Sequence, residues 1–146
     1  MQTFLPYADF ATSVQALDDK RLGKQRVEAW QIYRAITDPE YGWQHHPAVN
    51  MWRGYEDALV KYGLFCCIEW ISRGHNGAKM LGNFVPLFVH NAKPPNWMGD
   101  SHFHRSHRSN LVRKDAAHYG PLFPNVPDDL PYYWPTQHGY GWSDDT

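Results

Sequence analysis

Three charged residues recur at positions that bring them to one face of a predicted helix. Arg21, Lys24 and Glu28 are spaced i, i+3 and i+7, and side chains at these intervals lie above one another on an α-helix. A carboxylate flanked by cations is suited to acid/base or electrostatic work on an anionic substrate. The same spacing also fits a Lys24–Glu28 surface ion pair worth about 0.3–0.5 kcal/mol, so spacing alone leaves both interpretations open.

Two histidines have a similar relationship near the end of the chain. His104 and His107 are one helical turn apart, and this His-x-x-His spacing can bring two imidazoles together on a metal. His45, His46 or His102 would have to complete such a site, because no carboxylate or thiol lies nearby at ligand spacing. Contacts with phosphates or bases, and burial in the core, are the other uses of such histidines.

Positive charge is concentrated in two segments that contain no acidic residue. Residues 20–26 and residues 101–114 each carry four of the 14 lysines and arginines, although the formal net charge is only −1. Clustered cations in a chain of nearly balanced charge produce a directed field, and its usual target is a polyanion. The alternative is two solvated helix faces.

Helical patterns account for most of the elements that must position these residues. Apolar periodicity and turn residues predict a short helical turn near residues 9–14 and longer helices over about 18–36, 47–72 and 100–117. Pro47 suits the first position of a helix, so His46 either caps that helix or helps to hold an anion there. The stretch 78–90 is ambiguous, because Pro86 argues against a central strand.

The predicted fold class is all-α. The chain of 146 residues is near the usual size of one domain, and no internal repeat or convincing set of strands appears. We therefore expect a compact single-domain helical bundle over residues 1–146. An irregular tail rich in proline and aromatic residues, from Tyr119 onward, is expected to wrap the helices.

Composition excludes several classes of protein. The adjacent residues Cys66 and Cys67 indicate two reduced core thiols. No signal peptide and no apolar run of about 18 residues is recognised, so we expect a cytoplasmic protein that does not span a membrane. Phosphate-binding glycine loops, serine-hydrolase elbows and Cys-x-x-Cys motifs are lacking. Neither a cofactor nor an obligate protein partner is expected.

Several motifs resemble those of a known enzyme family. They are LDDKRLGKQRVE at residues 17–28, His46–Pro47 followed by MWRGYE at residues 51–56, HRSHRSNL at residues 104–111, and PDDLP at residues 127–131. Over nearly the whole chain these segments resemble a bacterial and phage branch of the pyrimidine-dimer DNA glycosylases of the endonuclease V type.

The resemblance implies a helical enzyme that bends DNA and flips a nucleotide. In this family the amino-terminal α-amine attacks the sugar C1′ and forms an imine, and β-elimination then nicks the strand. A glutamate on the early helix stabilises positive charge and moves protons, and it aligns with Glu28. Gln2 disfavours removal of the initiating methionine, so the amine is assigned to Met1, with Lys24 as the alternative nucleophile.

The sequence therefore predicts a glycosylase and AP lyase acting on damaged or modified pyrimidines in double-stranded DNA, with Glu28 and Met1 as its catalytic residues. We expect His46, His104 and His107 to line the pocket without a metal. Six cations are expected to contact phosphates: Arg21, Lys24, Arg26, Arg105, Arg108 and Lys114. The alternatives are a metal-dependent nuclease or hydrolase built on the histidines and a non-catalytic nucleic-acid-binding module.

Overall fold

Helices dominate the described part of the chain, which in this computed structural model comprises residues 1–136 and 139–142. The helices are α1 (Phe10–Ala16), α2 (Asp19–Thr37), α3 (Pro47–Asn50), α4 (Glu56–Ser72), α5 (Ala78–Phe84), α6 (Ser101–Lys114) and α7 (Ala116–Tyr119), with a 3-10 turn at Val85–Leu87. The predicted all-α class is confirmed. Among the described residues, no helix combines the length and the hydropathy that crossing a membrane requires.

The chain divides into two compact units. The first unit contains Met1–Thr3 and Leu17–Asn96, and the second contains Phe4–Ala16 and Trp97–Thr146. The first three residues therefore belong with helices α2 to α5, although the segment that follows them belongs with α1, α6 and α7. The expectation of a single domain over residues 1–146 stays a prediction.

In the first unit α2 packs mainly on α4, and α5 packs on α4. The buried stripe of α2 has helical spacing and consists of Leu22, Gln25, Ala29, Ile32 and Ala35. Four of these five residues are apolar or small, and burying them against α4 is favourable because it removes apolar surface from water. The fifth, Gln25, is a polar interruption of this stripe and requires hydrogen-bond partners.

The prediction of one long helix over residues 47–72 is wrong in one respect. It is interrupted between α3 and α4, where Gly54 has a φ of +85° and Tyr55 a φ of −125°. Glycine adopts this left-handed conformation without steric cost, which allows the chain to change direction before α4. The predicted start at Pro47 and end at Ser72 are confirmed.

The last predicted helix is also divided. Asp100 caps α6 by accepting hydrogen bonds from the N–H groups of His102 and Phe103, as expected of an Asp at this position. Asp115 then leaves the helical region, with φ −153° and ψ 82°, and caps the short helix α7 through His118. The predicted end near residue 117 therefore falls inside α7.

The tail is fastened to α6 through small polar side chains. The hydroxyl oxygens of Ser106 and Ser109 accept hydrogen bonds from the N–H groups of Tyr133 and Leu130, at 3.1 and 3.0 Å. Asn110 donates to the Leu130 carbonyl at 3.1 Å. These bonds satisfy backbone groups that have no partner within a regular element.

The expected irregular tail needs a correction at its end. Strand β1 (Tyr133–Thr136) pairs antiparallel with β2 (Gly139–Trp142), with Tyr133 opposite Trp142 and Thr136 opposite Gly139. Aromatic residues favour strands, and both of these four-residue segments contain them. Among the described residues of the tail, the irregular stretch therefore lies between α7 and β1.

Substitution of Gly63 tests the close contact between α4 and α5. A Cβ atom at Gly63 would lie 2.4 Å from the Phe84 ring, so we expect Gly63→Ala to destabilise the protein by about 1–3 kcal/mol. Gly82 in α5 is the matched control, because a Cβ there meets nothing within 4 Å. Gly82→Ala should be neutral or stabilise by up to about 1 kcal/mol. Urea unfolding midpoints measure both effects, and equal midpoints for the two variants would contradict this packing.

Candidate active site

The first three residues of the chain are fixed in place within the first unit. Thr3 is buried, and its hydroxyl oxygen accepts a hydrogen bond of 3.0 Å from the indole N–H of the buried Trp52. The Thr3 N–H donates to the side-chain oxygen of Gln2 at 2.8 Å, and Gln2 is itself buried. Since hydrogen bonds hold both the side chain and the backbone N–H of Thr3, the α-amine of Met1, two residues earlier, is held near one position.

Glu28 lies close to this amine. Burial raises the pKa of the Glu28 carboxyl above its usual range, and the positive charge of the amine is the largest of the influences that oppose the rise. The charge of Lys24 and hydrogen bonds from the Gln2 backbone and the Gln25 side chain act in the same direction as the amine. The structure thus brings together Met1 and Glu28, the two predicted catalytic residues.

A buried chain of hydrogen bonds orients the Glu28 carboxylate. The Gln25 amide nitrogen donates to Glu28 Oε2 at 2.9 Å, and the Gln25 amide oxygen accepts from the Tyr62 hydroxyl at 2.8 Å. Gln25 and Tyr62 are both buried, so solvent does not compete for the bond between them, whereas the bond to Glu28 is half-buried. The polar interruption in the α2 stripe therefore sets the position of the carboxylate.

His46 is the third ionisable group near the amine. Its Nδ1 accepts a hydrogen bond of 3.0 Å from the Ala48 N–H, which caps α3, so the proton of the neutral ring is assigned to Nε2. Partial burial, and then the charge of the amine, lower the pKa of His46. The structure therefore places His46 beside the predicted catalytic pair as a neutral imidazole, and it also caps the helix.

A cleft of about 400 Å³ lies along α2 and extends to Glu28. Two exposed lysines and an indole are among the side chains that line it. The lining residues include Lys20, Lys24, Arg26, Glu28, Gln31 and Trp70. A cleft with cations on its walls attracts anions and concentrates the field between its sides. Glu28 is accordingly reached from a positively charged surface.

Two of the predicted phosphate-binding cations of this unit are engaged with the protein. Arg21 forms an ion pair with Asp18, with a distance of 3.2 Å from Nη1 to Oδ2, and both side chains are largely buried. The guanidinium of Arg26 lies 4.8 Å from the centre of the Trp70 ring, which is a cation–π contact. Lys24 is exposed in the cleft and has the most accessible charge of the three.

Asp19, which also lines the cleft, takes part in an ion-pair network. Arg73 and His75 both approach the Asp19 carboxylate, at 2.9 and 3.0 Å. Hydrogen bonds from these two residues hold the pKa of Asp19 below its usual range. The His75 ring also stacks on Trp70 at 3.9 Å, which keeps the indole upright against α2.

His104 and His107 have another environment, within the second unit. The two nitrogens of His104 contact the Leu5 carbonyl at 2.8 Å and the Gly99 N–H at 2.9 Å. His107 Nδ1 accepts from the Leu5 N–H at 2.9 Å. Burial lowers the pKa of His107 to about 3, so both rings act as neutral clamps on the backbone. Their predicted role in lining a pocket stays a prediction.

The remaining predicted DNA contacts also lie in the second unit. Arg108 donates to the Pro6 carbonyl at 2.8 Å, whereas Arg105 and Lys114 are exposed on α6. Among the residues described, no group of three or more His, Cys, Asp or Glu side chains is arranged to hold a metal ion. The pair predicted from His-x-x-His spacing therefore does not acquire a third ligand in this part of the chain.

Sequence reasoning missed the residues that position the predicted catalytic pair, Met1 and Glu28. The contacts that matter join segments distant in the chain, Tyr62 with Gln25 and Trp52 with Thr3. Residue spacing within one segment does not reveal such contacts. One signal was available, because Gln25 lies three residues before Glu28 and falls on the buried stripe of its helix. A polar residue at such a position needs a partner.

Comparison with known proteins gives a family for this chain. A family model described as pyrimidine dimer DNA glycosylase matches residues 1–82, which include Met1, Glu28, His46 and the whole Gln25–Tyr62 hydrogen-bond chain. No curated protein and no solved structure matches the chain. The match covers more than half of the sequence, and the chain therefore belongs to the pyrimidine dimer DNA glycosylase family.

Proposed function

We propose that this protein excises damaged or modified pyrimidines from double-stranded DNA and then cleaves the strand as an AP lyase. The observation that carries the proposal is the pairing of the Met1 amine with a half-buried carboxylate, Glu28, inside the region matched by the family. An amine nucleophile and an adjacent acid/base are the two groups that this chemistry requires.

The first step forms a bond between the Met1 nitrogen and the sugar C1′. The uncharged amine attacks, the bond from C1′ to the base breaks, and the base leaves with a proton. Loss of one of the two amine protons, and opening of the sugar ring as its O4′ takes up a proton, give a protonated imine. Glu28 accepts a proton during this step, and its negative charge stabilises the positive charge that develops.

The second step cleaves the strand. Removal of a proton from C2′ of the imine expels the 3′ phosphate by β-elimination, and water then releases the amine from the sugar. Glu28 is the base closest to this chemistry in the proposed scheme. The hydrogen bond from Gln25 fixes the carboxylate oxygen that does not take the proton. Neutral His46 supplies a donor at Nε2 near the amine.

Binding of the duplex is assigned to the exposed cations. Lys24 lies in the cleft beside Glu28, and Arg105 and Lys114 are exposed on α6. Arg21, Arg26 and Arg108 keep their charge while they bind protein groups, and they add to the positive field. We also propose a cytoplasmic location, which the two buried, unbridged cysteines support.

Borohydride trapping tests this proposal. The chain with a free α-amine is incubated in EDTA with duplex DNA carrying a thymine dimer or an abasic site, and borohydride reduces any imine. We expect a covalent adduct whose peptide mapping places the DNA on Met1. Glu28→Gln should form the adduct about 10²- to 10⁴-fold more slowly while it binds the same DNA with nearly unchanged affinity.

The other outcomes of trapping are equally informative. An adduct on Lys24 would contradict the assignment of Met1 as nucleophile. Binding without any adduct, on either DNA, would contradict the glycosylase/lyase proposal and favour a pure binding module. Activity that EDTA abolishes would favour the metal-dependent alternative, because the imine route uses no metal.

Tyr62→Phe tests the hydrogen-bond chain behind Glu28. The variant removes one hydroxyl and leaves Gln25 without that donor, so we expect a stability loss of about 0.5–1.5 kcal/mol and cleavage slowed by roughly 2- to 10-fold. Tyr33→Phe on α2 is the matched control. Single-turnover rates at saturating protein measure the effect, and identical rates for the two variants would exclude a positioning role for Tyr62.

The pH profile tests the charge of Glu28. Since burial raises its pKa, cleavage should be lost as the pH falls through a value above the ordinary carboxyl range. The positive charge of Lys24 lowers this pKa, so Lys24→Met should move the acid limb to higher pH. The exposed Lys61 on α4 gives the control variant Lys61→Met. An acid limb that stays in place, or moves to lower pH, in Lys24→Met would contradict the assignment.

A further inference from the structure

Trp43 has an unusual backbone conformation and an unusual exposure. Its φ is +67°, and within the described part of the chain it is the sole residue other than glycine with a positive φ. Its side chain is 59% exposed, the largest value among the exposed large hydrophobic residues. A bulky aromatic residue rarely adopts this left-handed region, so the surrounding structure must hold it there.

The loop that carries Trp43 is held by its neighbour. The Gln44 side-chain nitrogen lies 2.7, 3.0 and 2.8 Å from the carbonyl oxygens of Ala35, Asp38 and Tyr41, which share its two N–H donors. Arg53 donates in turn to the Gln44 backbone carbonyl. These bonds tie the loop to the end of α2 and to the segment before α4, so the backbone that carries the exposed indole is held in place.

Trp43 lies at the edge of the candidate active site. The His46 N–H donates to the Trp43 carbonyl at 3.1 Å, and the two rings meet edge to face with centres 6.0 Å apart. His46 is in turn close enough to the Met1 amine for the amine's charge to lower its pKa. An exposed aromatic surface is therefore held against His46, the imidazole on which the charge of the proposed nucleophile acts.

We propose that Trp43 stacks on a nucleobase of the bound DNA, at or next to the reacting nucleotide. The inference rests on the proposed function, because it takes the Met1 amine as the group that reaches C1′. Successive nucleotides of one strand are only about 3.4 Å apart, so an aromatic ring beside the amine is within reach of these bases. Stacking on an indole is sequence-tolerant, because every base presents a π-face.

A stacking role would also explain why the loop keeps Trp43 in a strained backbone conformation. Flipping a nucleotide removes the stacking partner of its neighbours, and a pre-positioned indole replaces that partner without first being ordered. Because Gln44 and Arg53 already hold its backbone, Trp43 loses little backbone freedom on binding. The expected ligand is therefore an unstacked base in damaged duplex DNA, and not an intact, fully stacked duplex.

Three variants test the role of the ring. Trp43→Gly deletes it and suits a positive φ, so this variant is expected to fold; Trp43→Phe keeps an aromatic ring. Phe88→Ala removes another exposed aromatic residue, 50% exposed and at an ordinary φ of −63°. The probe is duplex DNA with a tetrahydrofuran abasic-site analogue, which gives no imine, and affinity is measured by fluorescence anisotropy against the undamaged duplex.

We expect Trp43→Gly to weaken binding of the abasic duplex by roughly 5- to 150-fold. Trp43→Phe should recover most of this loss, and Phe88→Ala should bind like the unaltered protein. Binding of undamaged duplex should change by less than about twofold in all three. Equal affinities of Trp43→Gly and the unaltered protein for the abasic duplex would overturn the inference, and so would a loss that Trp43→Phe does not recover.

The binding assay separates this inference from the proposed function. If the unaltered protein forms the trapped adduct but Trp43→Gly binds normally, the stacking role is wrong and the glycosylase proposal stands. If no adduct forms but Trp43→Gly still loses its preference for abasic DNA, the stacking role stands and the glycosylase proposal is wrong. Unfolding midpoints of the three variants identify any effect that comes from stability alone.

Discussion

The hydrogen bond from Trp52 to Thr3 is the contact on which the candidate site depends. An α-amine at a chain end is ordinarily mobile, and a mobile amine would be a poor partner for the half-buried Glu28 carboxylate. The buried indole N–H fixes Thr3, Thr3 and Gln2 fix each other, and the amine is thereby held near Glu28. Trp52 lies between α3 and α4, so the break between these helices helps to place the amino terminus.

The orientation of Glu28, the proposed acid/base group, comes at some cost to the interface between α2 and α4. Gln25 occupies a position on the buried stripe of α2 that an apolar residue would fill without any need for partners. It is retained in a fully satisfied arrangement, between the Tyr62 hydroxyl and the Glu28 carboxylate. Satisfied polar groups in a core orient one another strongly, because solvent does not compete for their hydrogen bonds. The packing of α2 on α4, which stabilises the first unit, therefore also orients the Glu28 carboxylate.

Local patterns predicted much of this arrangement, and long-range contacts account for the rest. The early helix and the face that carries Glu28 follow from helical periodicity, which a single segment displays. The pairing of Glu28 with Met1 joins residues 27 positions apart, so it came from family resemblance and not from spacing. The break at Gly54 depends on one backbone angle that composition does not specify. His104 and His107 were placed on one helix correctly, but their backbone partners belong to a distant segment.

The histidine clamp of the second unit links its folding to protons. His107 accepts the Leu5 N–H only as a neutral ring, and its pKa falls from the ordinary 6.5 to about 3 in the folded chain. Above pH 6.5 the ring is neutral in both folded and unfolded chains. As the pH falls from 6.5 towards 3, the unfolded chain takes up a proton that the folded chain excludes, so folding becomes less favourable. A His-x-x-His pattern that suggests a metal site thus makes the attachment of residues 4–6 to α6 acid-labile.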